Sequence, residues 1–154
     1  MINIRVYADT SVFGGIYDDN FQDESKEFFE EVKRSRFTLI TSAVVQAEIE
    51  PAPEKVKIFF NGMIEIAEIV DVSKEALQLR DAYLKAGIVT PKYSDDALHV
   101  ALASVSNCSL IVSWNFKHIV HFEKIPLYNA INILNGYSEI KFFSPLEVIK
   151  YEED

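Results

Sequence analysis

The stretch Ser94-Asp-Asp-Ala-Leu-His-Val-Ala-Leu-Ala-Ser-Val-Ser-Asn-Cys-Ser-Leu-Ile-Val-Ser113 decides how this chain is built. Its first half is apolar on almost every side (Ala97, Leu98, Val100, Ala101, Leu102, Ala103 and Val105), the pattern of a buried helix. Ser94 is expected to cap that helix, which runs to about Asn107. Leu110 to Ser113 then reads as a short buried strand. A helix that feeds a strand through a tight turn runs antiparallel to it. The helix N-terminus, with Asp95 and Asp96, therefore returns to the carboxyl end of the strand, where Asn115 also lies.

Working outward, the same alternation of strand and helix recurs. Ile2, Ile4, Val6 and Ala8 alternate with Asn3, Arg5 and Tyr7, which predicts a strand ending at Asp9. Asp23 to Arg34 is a polar helix with Phe28, Phe29 and Val32 on one side. Phe37 to Thr41 is a strand, and Ala43 to Glu50 a helix stopped by Pro51 and Pro53. Glu54 to about Phe60 is a further amphipathic helix, and Ile64 to Val72 reads equally as a short strand or a helix end. Ser73 caps a helix running to Gly87. Ile140 to Phe143 is a last strand before a short helix over Pro145 to Ile149. Strands alternating with helices imply an α/β protein with a mostly parallel sheet and helices on both faces.

With 154 residues, 49% of them hydrophobic, and no repeat or Gly/Ser linker, the chain is expected to form one domain over residues 1–154. Cys108 is the only cysteine, which removes an intrachain disulfide and favours a reducing, cytoplasmic setting. No run approaches the roughly 18 apolar residues of a membrane span, and no signal-peptide pattern opens the chain. The net charge of −9 argues against a broad basic face for nucleic acid. It leaves room for a nuclease, because bound divalent ions reverse the local potential wherever carboxylates converge.

Sites in open parallel α/β sheets form outside the carboxyl ends of the strands. Asp9 and Asn115 lie at two such ends, and Asp96 returns to the same edge. Glu48 sits about 9 Å along the helix after the second strand, within reach of that edge for a long side chain. Two carboxylates about 4 Å apart repel by roughly 4 kcal/mol at an effective dielectric near 20. Such a cluster takes up protons or binds a cation, and hard oxygen ligands favour Mg²⁺ or Mn²⁺. Each residue also has an ordinary reading: Asp9 as an Asx turn, Glu48 or its neighbour Glu50 as exposed helix positions, Asp95 and Asp96 as first-turn acids, Asn115 as an N-cap. Asp96 and His99 start a narrow polar stripe on a buried helix, which the ordinary reading does not explain. His99, His118 and His121 lack the spacing and the fourth ligand of a zinc site and are read as packed or solvated; Trp114 is read as a core or cleft-wall aromatic.

These stretches match a known family. Tyr7-Ala-Asp-Thr-Ser-Val-Phe-Gly-Gly15 resembles the opening strand of PIN domains, and Thr41-Ser-Ala-Val-Val-Gln-Ala-Glu48 their second strand and helix. Asp96-Ala-Leu-His-Val-Ala-Leu-Ala103 resembles the helix bearing their third acid, and Leu110-Ile-Val-Ser-Trp-Asn-Phe-Lys-His118 the segment that often holds a fourth aspartate or an asparagine. The resemblance implies a PIN-like three-layer α/β/α sandwich and a Mg²⁺- or Mn²⁺-dependent endoribonuclease, similar to VapC-like toxins of toxin–antitoxin pairs. It selects Asp9, Glu48 and Asp96 as metal ligands, with Asn115 in the fourth position, where an amide adds no negative charge. Ser11 and Thr10 resemble polar residues lining the family's site. RNA as substrate, a homodimer and a small antitoxin partner are further implications. Two other readings compete: a non-catalytic PIN-like module that binds RNA or a protein, and phosphoryl transfer on a first-strand aspartate. The latter resembles an Asp-x-Asp arrangement of haloacid-dehalogenase-like phosphatases, and position 11 here is Ser.

Overall fold

Val6, Tyr7 and Ala8 are consecutive residues with no exposure to solvent. A strand buries successive side chains only when both faces of its pleat are covered, so strand β1 (Ile4–Ala8) lies inside the sheet rather than on an open face. Tyr7 is therefore core, where simple alternation had placed it on the polar side. The computed structural model describes residues 3–151. Ile2, part of the strand expected from the sequence, lies outside the described residues.

β1 pairs with β2 (Phe37–Ser42) on one side and β4 (Leu110–Val112) on the other. β3 (Glu68–Val70) and β5 (Lys141–Phe143) close the two edges, giving the order β3-β2-β1-β4-β5 with every pairing parallel. The chain steps outward from β1 to β3, then crosses back to lay β4 against the other side of β1. That reversal is a topological switch point, and it opens a crevice between the carboxyl ends of β1 and β4. Opposing residues Ala8 and Val112 close the ladder, so Asp9 and Ser113 follow it side by side.

Eight helices connect these strands among the described residues. α1 (Thr10–Gly15), α2 (Gln22–Lys33), α3 (Ala43–Ile49), α4 (Glu54–Met63) and α8 (Pro145–Val148) pack with one another. α5 (Lys74–Lys85), α6 (Ser94–Val105) and α7 (Lys124–Leu134) form a second group. The result is the expected α/β/α sandwich with a parallel central sheet. α6 is buried from Ala97 to Ser104 without interruption, as its all-round apolar sequence demands.

Three local readings change. Ser73 caps α5 through its hydroxyl, 3.1 Å from the Ala76 amide, but Ser94 is the first residue of α6 and caps nothing. A 3₁₀ turn over Pro91–Tyr93 runs straight into α6 and satisfies the Ser94 amide from the Pro91 carbonyl. The ambiguous segment Ile64 to Val72 contains β3. α1 and α7 were not expected: α1 ends on Gly14-Gly15, a pair that reads as a breaker, and α7 has Pro126 in its first turn, where proline is tolerated. α7 is held by a polar cross-link. Buried Asn132 donates to Ser104 Oγ at 2.9 Å and to the Ser138 carbonyl at 3.2 Å, and accepts from the Tyr83 hydroxyl.

Gly15 is required by close approach. A Cβ at that position would meet Ser25 Oγ at 2.5 Å and Trp114 Nε1 at 2.9 Å. Those two atoms are bonded to each other at 2.8 Å, and Trp114 stacks on Phe21 with centroids 4.1 Å apart. Gly15→Ala is expected to destabilise the fold by about 1–3 kcal/mol through overpacking. Urea unfolding followed by the emission of the single tryptophan, Trp114, measures it. Unchanged stability and an unshifted emission maximum would refute this packing.

Candidate functional site

The crevice at the switch point is lined by side chains from three strand–helix units. Asp9 ends β1 and caps α1, and it is almost fully buried. Its Oδ1 accepts from the Ser11 amide at 3.1 Å and the Ser11 hydroxyl at 2.6 Å, and its Oδ2 accepts from the Ser113 hydroxyl at 2.6 Å. The Asx turn proposed for Asp9 is thus present, and it coexists with a position inside the crevice. Ser11 Oγ also accepts from the Trp114 amide at 2.9 Å, and Ser113 Oγ from the Asn115 amide at 2.9 Å. The residues after β1 and those after β4 are therefore sewn together through hydroxyls.

Glu48 comes from the last turn of α3. Its Oε1 accepts from Thr10 Oγ1 at 2.7 Å and lies 2.6 Å from His99 Nε2. Glu48 and Glu50, the competing candidate, are both exposed, and the bonds to Thr10 and His99 are what single out Glu48. Asp96, in the first turn of α6, is half-buried, while its neighbour Asp95 is exposed. The Asn115 side chain lies close enough to Asp96 to draw its carboxyl down against the effect of burial. The Asn115 Oδ1 accepts the backbone amides of Lys117 at 3.2 Å and His118 at 2.9 Å. Its carbonyl oxygen thus caps a turn, leaving its NH₂ group available to donate.

His99, read from the sequence as part of a polar stripe with Asp96 but otherwise as a packed or solvated histidine, is the hub of this site. Its Nε2 faces Glu48, and its Nδ1 lies 2.7 Å from the Tyr7 hydroxyl, which in turn is 2.8 Å from Ser42 Oγ. Spacing carried the signal: His99 follows Asp96 by three positions, so both occupy one face of α6. Electrostatics join the group. Burial raises Asp9 and Asp96 above their ordinary values, and the negative charge of Glu48 adds to each. Burial depresses His99, but the Glu48 bond and the charges of Asp9, Glu48 and Asp96 outweigh it, leaving the imidazole raised. Burial raises Glu48, and the bond and charge of His99 with the Thr10 bond bring it below its ordinary value. Burial holds Tyr7 protonated, so its phenol acts as a hydrogen-bonding group only.

Three carboxylates, two hydroxyls and an amide are the hard oxygen donors that suit a divalent ion such as Mg²⁺ or Mn²⁺, so the residues fit one by chemistry. Among the described residues no three His, Cys, Asp or Glu side chains stand gathered as a ready coordination shell. The hydrogen bonds explain the spread: His99 and Thr10 hold Glu48, and serines hold Asp9. An ion entering here shares these oxygens with their donors or displaces them.

The comparisons agree with this architecture. The PIN domain family model matches residues 6–119. The chain belongs to the PIN domain family. No curated protein sequence matches it significantly. Among solved structures, DNA-bound VapBC from Salmonella typhimurium is 18% identical with a TM-score of 0.60, the match covering 92% of this chain and 98% of that one. VapBC2 from Rickettsia felis bound to a promoter DNA fragment is 15% identical with a TM-score of 0.59, again over 92% and 98%. FitAcB from Neisseria gonorrhoeae is 13% identical with a TM-score of 0.57, over 93% and 99%. At these identities the likeness is one of fold.

The raised imidazole sets a pH dependence. A histidine whose folded pKa is raised contributes stability that is complete below its unfolded value of about 6.5 and is lost as pH rises through the folded value. The lowered Glu48 acts with opposite sign, and only below its ordinary value of 4.5. In chelator, the melting temperature is expected to fall as pH rises above about 6.5, and His99→Gln is expected to flatten that fall. An equal slope in both proteins would show that His99 does not titrate in this window.

Proposed function

We propose that this protein is a divalent-metal-dependent endoribonuclease that hydrolyses RNA phosphodiester bonds, and that it is the toxin of a toxin–antitoxin pair. The observation that carries the proposal is the placing of Asp9, Glu48 and Asp96 at one sheet edge around His99, whose Nε2 lies 2.6 Å from Glu48. Asp9 is buried, and a fold with no catalytic use for the spot would gain by replacing a buried carboxylate with an apolar side chain.

In this reading Asp9, Glu48 and Asp96 hold Mg²⁺ or Mn²⁺. A bound ion supplies Lewis-acid chemistry to the phosphodiester and lowers the pKa of a bound water. Ser11 and Ser113 fix the Asp9 carboxylate on both of its oxygens. His99, backed by Tyr7 and Ser42, sets the rotamer of Glu48 and shares charge with it. Asn115 stands in the family's fourth acidic position; its carbonyl oxygen is the one atom it can offer an ion, and its NH₂ steadies Asp96. A toxin–antitoxin complex from Klebsiella pneumoniae among the structures of the same fold supports a small antitoxin partner, and dimerisation and a cytoplasmic setting belong to the same proposal. No helix among the described residues is long and apolar enough to cross a membrane.

A second reading, a PIN-like module that binds RNA or protein without cutting, draws support from the amide at position 115. Incubation of labelled RNA with purified protein, with Mn²⁺ or with chelator, separates the two. Metal-dependent cleavage is expected, with a loss of at least about 100-fold in Asp9→Asn and in Asp96→Asn, and little change in Asp95→Asn. Folded Asp9→Asn or Asp96→Asn protein that cuts at the wild-type rate would remove that residue from the site. Absence of cleavage by wild type would leave the binding module.

A further inference from the structure

The helix α7 has two faces of different character. Its inner face is fixed by polar clamps. Asn129 donates to the Ile140 carbonyl at 3.0 Å and accepts the Ile140 amide at 2.9 Å, while Tyr128 and Asn132 are fully buried. The helix therefore cannot roll to hide its other side. On that side Pro126, Leu127, Ala130, Ile133 and Leu134 are exposed, Leu127 to 50%, Ile133 to 56% and Leu134 to 79%. At 3.6 residues per turn they span an arc of about 120°, with Ala130 at its centre. Phe122, just before the helix, is 91% exposed.

No residue of this arc is charged. The solvent sides of other long helices are: α2 exposes Lys26, Glu30 and Lys33, and α5, which packs beside α7, exposes Glu75, Asp81 and Lys85. A helix apolar on every side is the pattern of a buried element, and α7 has that pattern while half of it faces solvent. It also lies beyond residues 6–119, the stretch that the PIN domain family model matches. Its outer face is therefore set by this chain's own sequence and not by the matched family core.

We propose that a second copy of this chain covers α7, the two helices packing antiparallel about a two-fold axis. A patch that meets itself across such an axis has to be self-complementary. A charge-free apolar stripe is self-complementary, whereas a charge at its centre would face its own kind. With a net charge of −9 two copies repel, and across this arc they approach without adding to that repulsion. A basic partner protein would be matched by acids, and the arc offers none. Antiparallel packing also sets the positive end of each helix beside the negative end of the other. The small side chain of Ala130 lets the two helices cross closely. The inference deepens the dimer of the proposed function by giving it a face, and it stands whether or not the protein cuts RNA.

The test is sedimentation velocity of the full chain from about 1 to 200 µM, a range that brackets a modest interface. Wild type is expected to sediment as a dimer. Leu127→Glu combined with Ile133→Glu is expected to weaken it at least about 100-fold, since carboxylates of both copies are then buried face to face. Ile58→Glu on α4, at a site 64% exposed, is expected to leave the dimer intact. A second measurement reads the arrangement. With oxidised glutathione, Ala130→Cys is expected to form a disulfide-linked dimer and Gln78→Cys, exposed on α5, is not; the native Cys108 is buried. Trp114 emission checks that each variant is folded. Wild type that stays monomeric throughout the range overturns the proposal, as does a glutamate pair that dimerises like wild type. Ala130→Cys that links no faster than Gln78→Cys overturns it too. Monomeric wild type that pellets with phosphatidylcholine vesicles gives the face to a lipid surface instead. Incubation with RNA and Mn²⁺ separates this from the nuclease reading. A dimer through α7 that never cuts ends that reading and keeps the face; a monomer that cuts ends the face and keeps the reading.

Discussion

A carboxylate buried at the end of a central strand must be supplied with hydrogen, and the architecture of this protein turns on how Asp9 is supplied. Leaving an ionised carboxylate dry and unpaired costs several kcal/mol. Three donors answer it, two from Ser11 and one from Ser113, on opposite sides of the switch point. Satisfying the charge thus fastens β1 to β4 where the chain reverses direction. The donors do not cancel the burial, since Asp9 still sits above its ordinary pKa. What is left over is a standing demand for positive charge in the crevice, met here by the imidazole of His99.

The arrangement of His99 follows from the same demand. A buried histidine with one nitrogen on a carboxylate and the other on a phenol can keep donating to the carboxylate while its bond to the phenol reverses as it gains or loses a proton. Tyr7 and Ser42 tolerate either direction, because a hydroxyl both donates and accepts. The hub can thus change charge without leaving a polar atom unsatisfied, which an asparagine or an arginine in its place cannot do.

Much of this was legible in the sequence because it rests on short-range rules. The all-round apolar α6 and the tight turn into β4 require Asp96 to share an edge with Asn115, and both do. The hydroxyl cap on α5 was likewise readable from Ser73. The departures arise where tertiary contacts outvote local signals. Gly14-Gly15 reads as a breaker until Trp114 and Ser25 are seen to need the space. Pro126 hides α7 from a search for uninterrupted helix. Tyr7 looks polar by alternation and is core because β1 is covered on both faces. The polar stripe of Asp96 and His99 was visible, but the role of His99 was not: its partners, Tyr7 and Glu48, are 92 and 51 positions away, and no local pattern reports such contacts.

The sheet order also governs when the site comes into being. The crevice lies between β1 and β4, and the bond from Ser113 to Asp9 spans 104 positions. During synthesis the first half of the chain can form β1, β2 and β3 with their helices, but it carries Asp9 and Glu48 without Asp96, Ser113 or Asn115. Parallel pairings of such long sequence separation form slowly, since the loop must close before the contacts reward it. A partly made chain is therefore chemically incomplete, and the crevice assembles only after roughly three-quarters of the residues have left the ribosome.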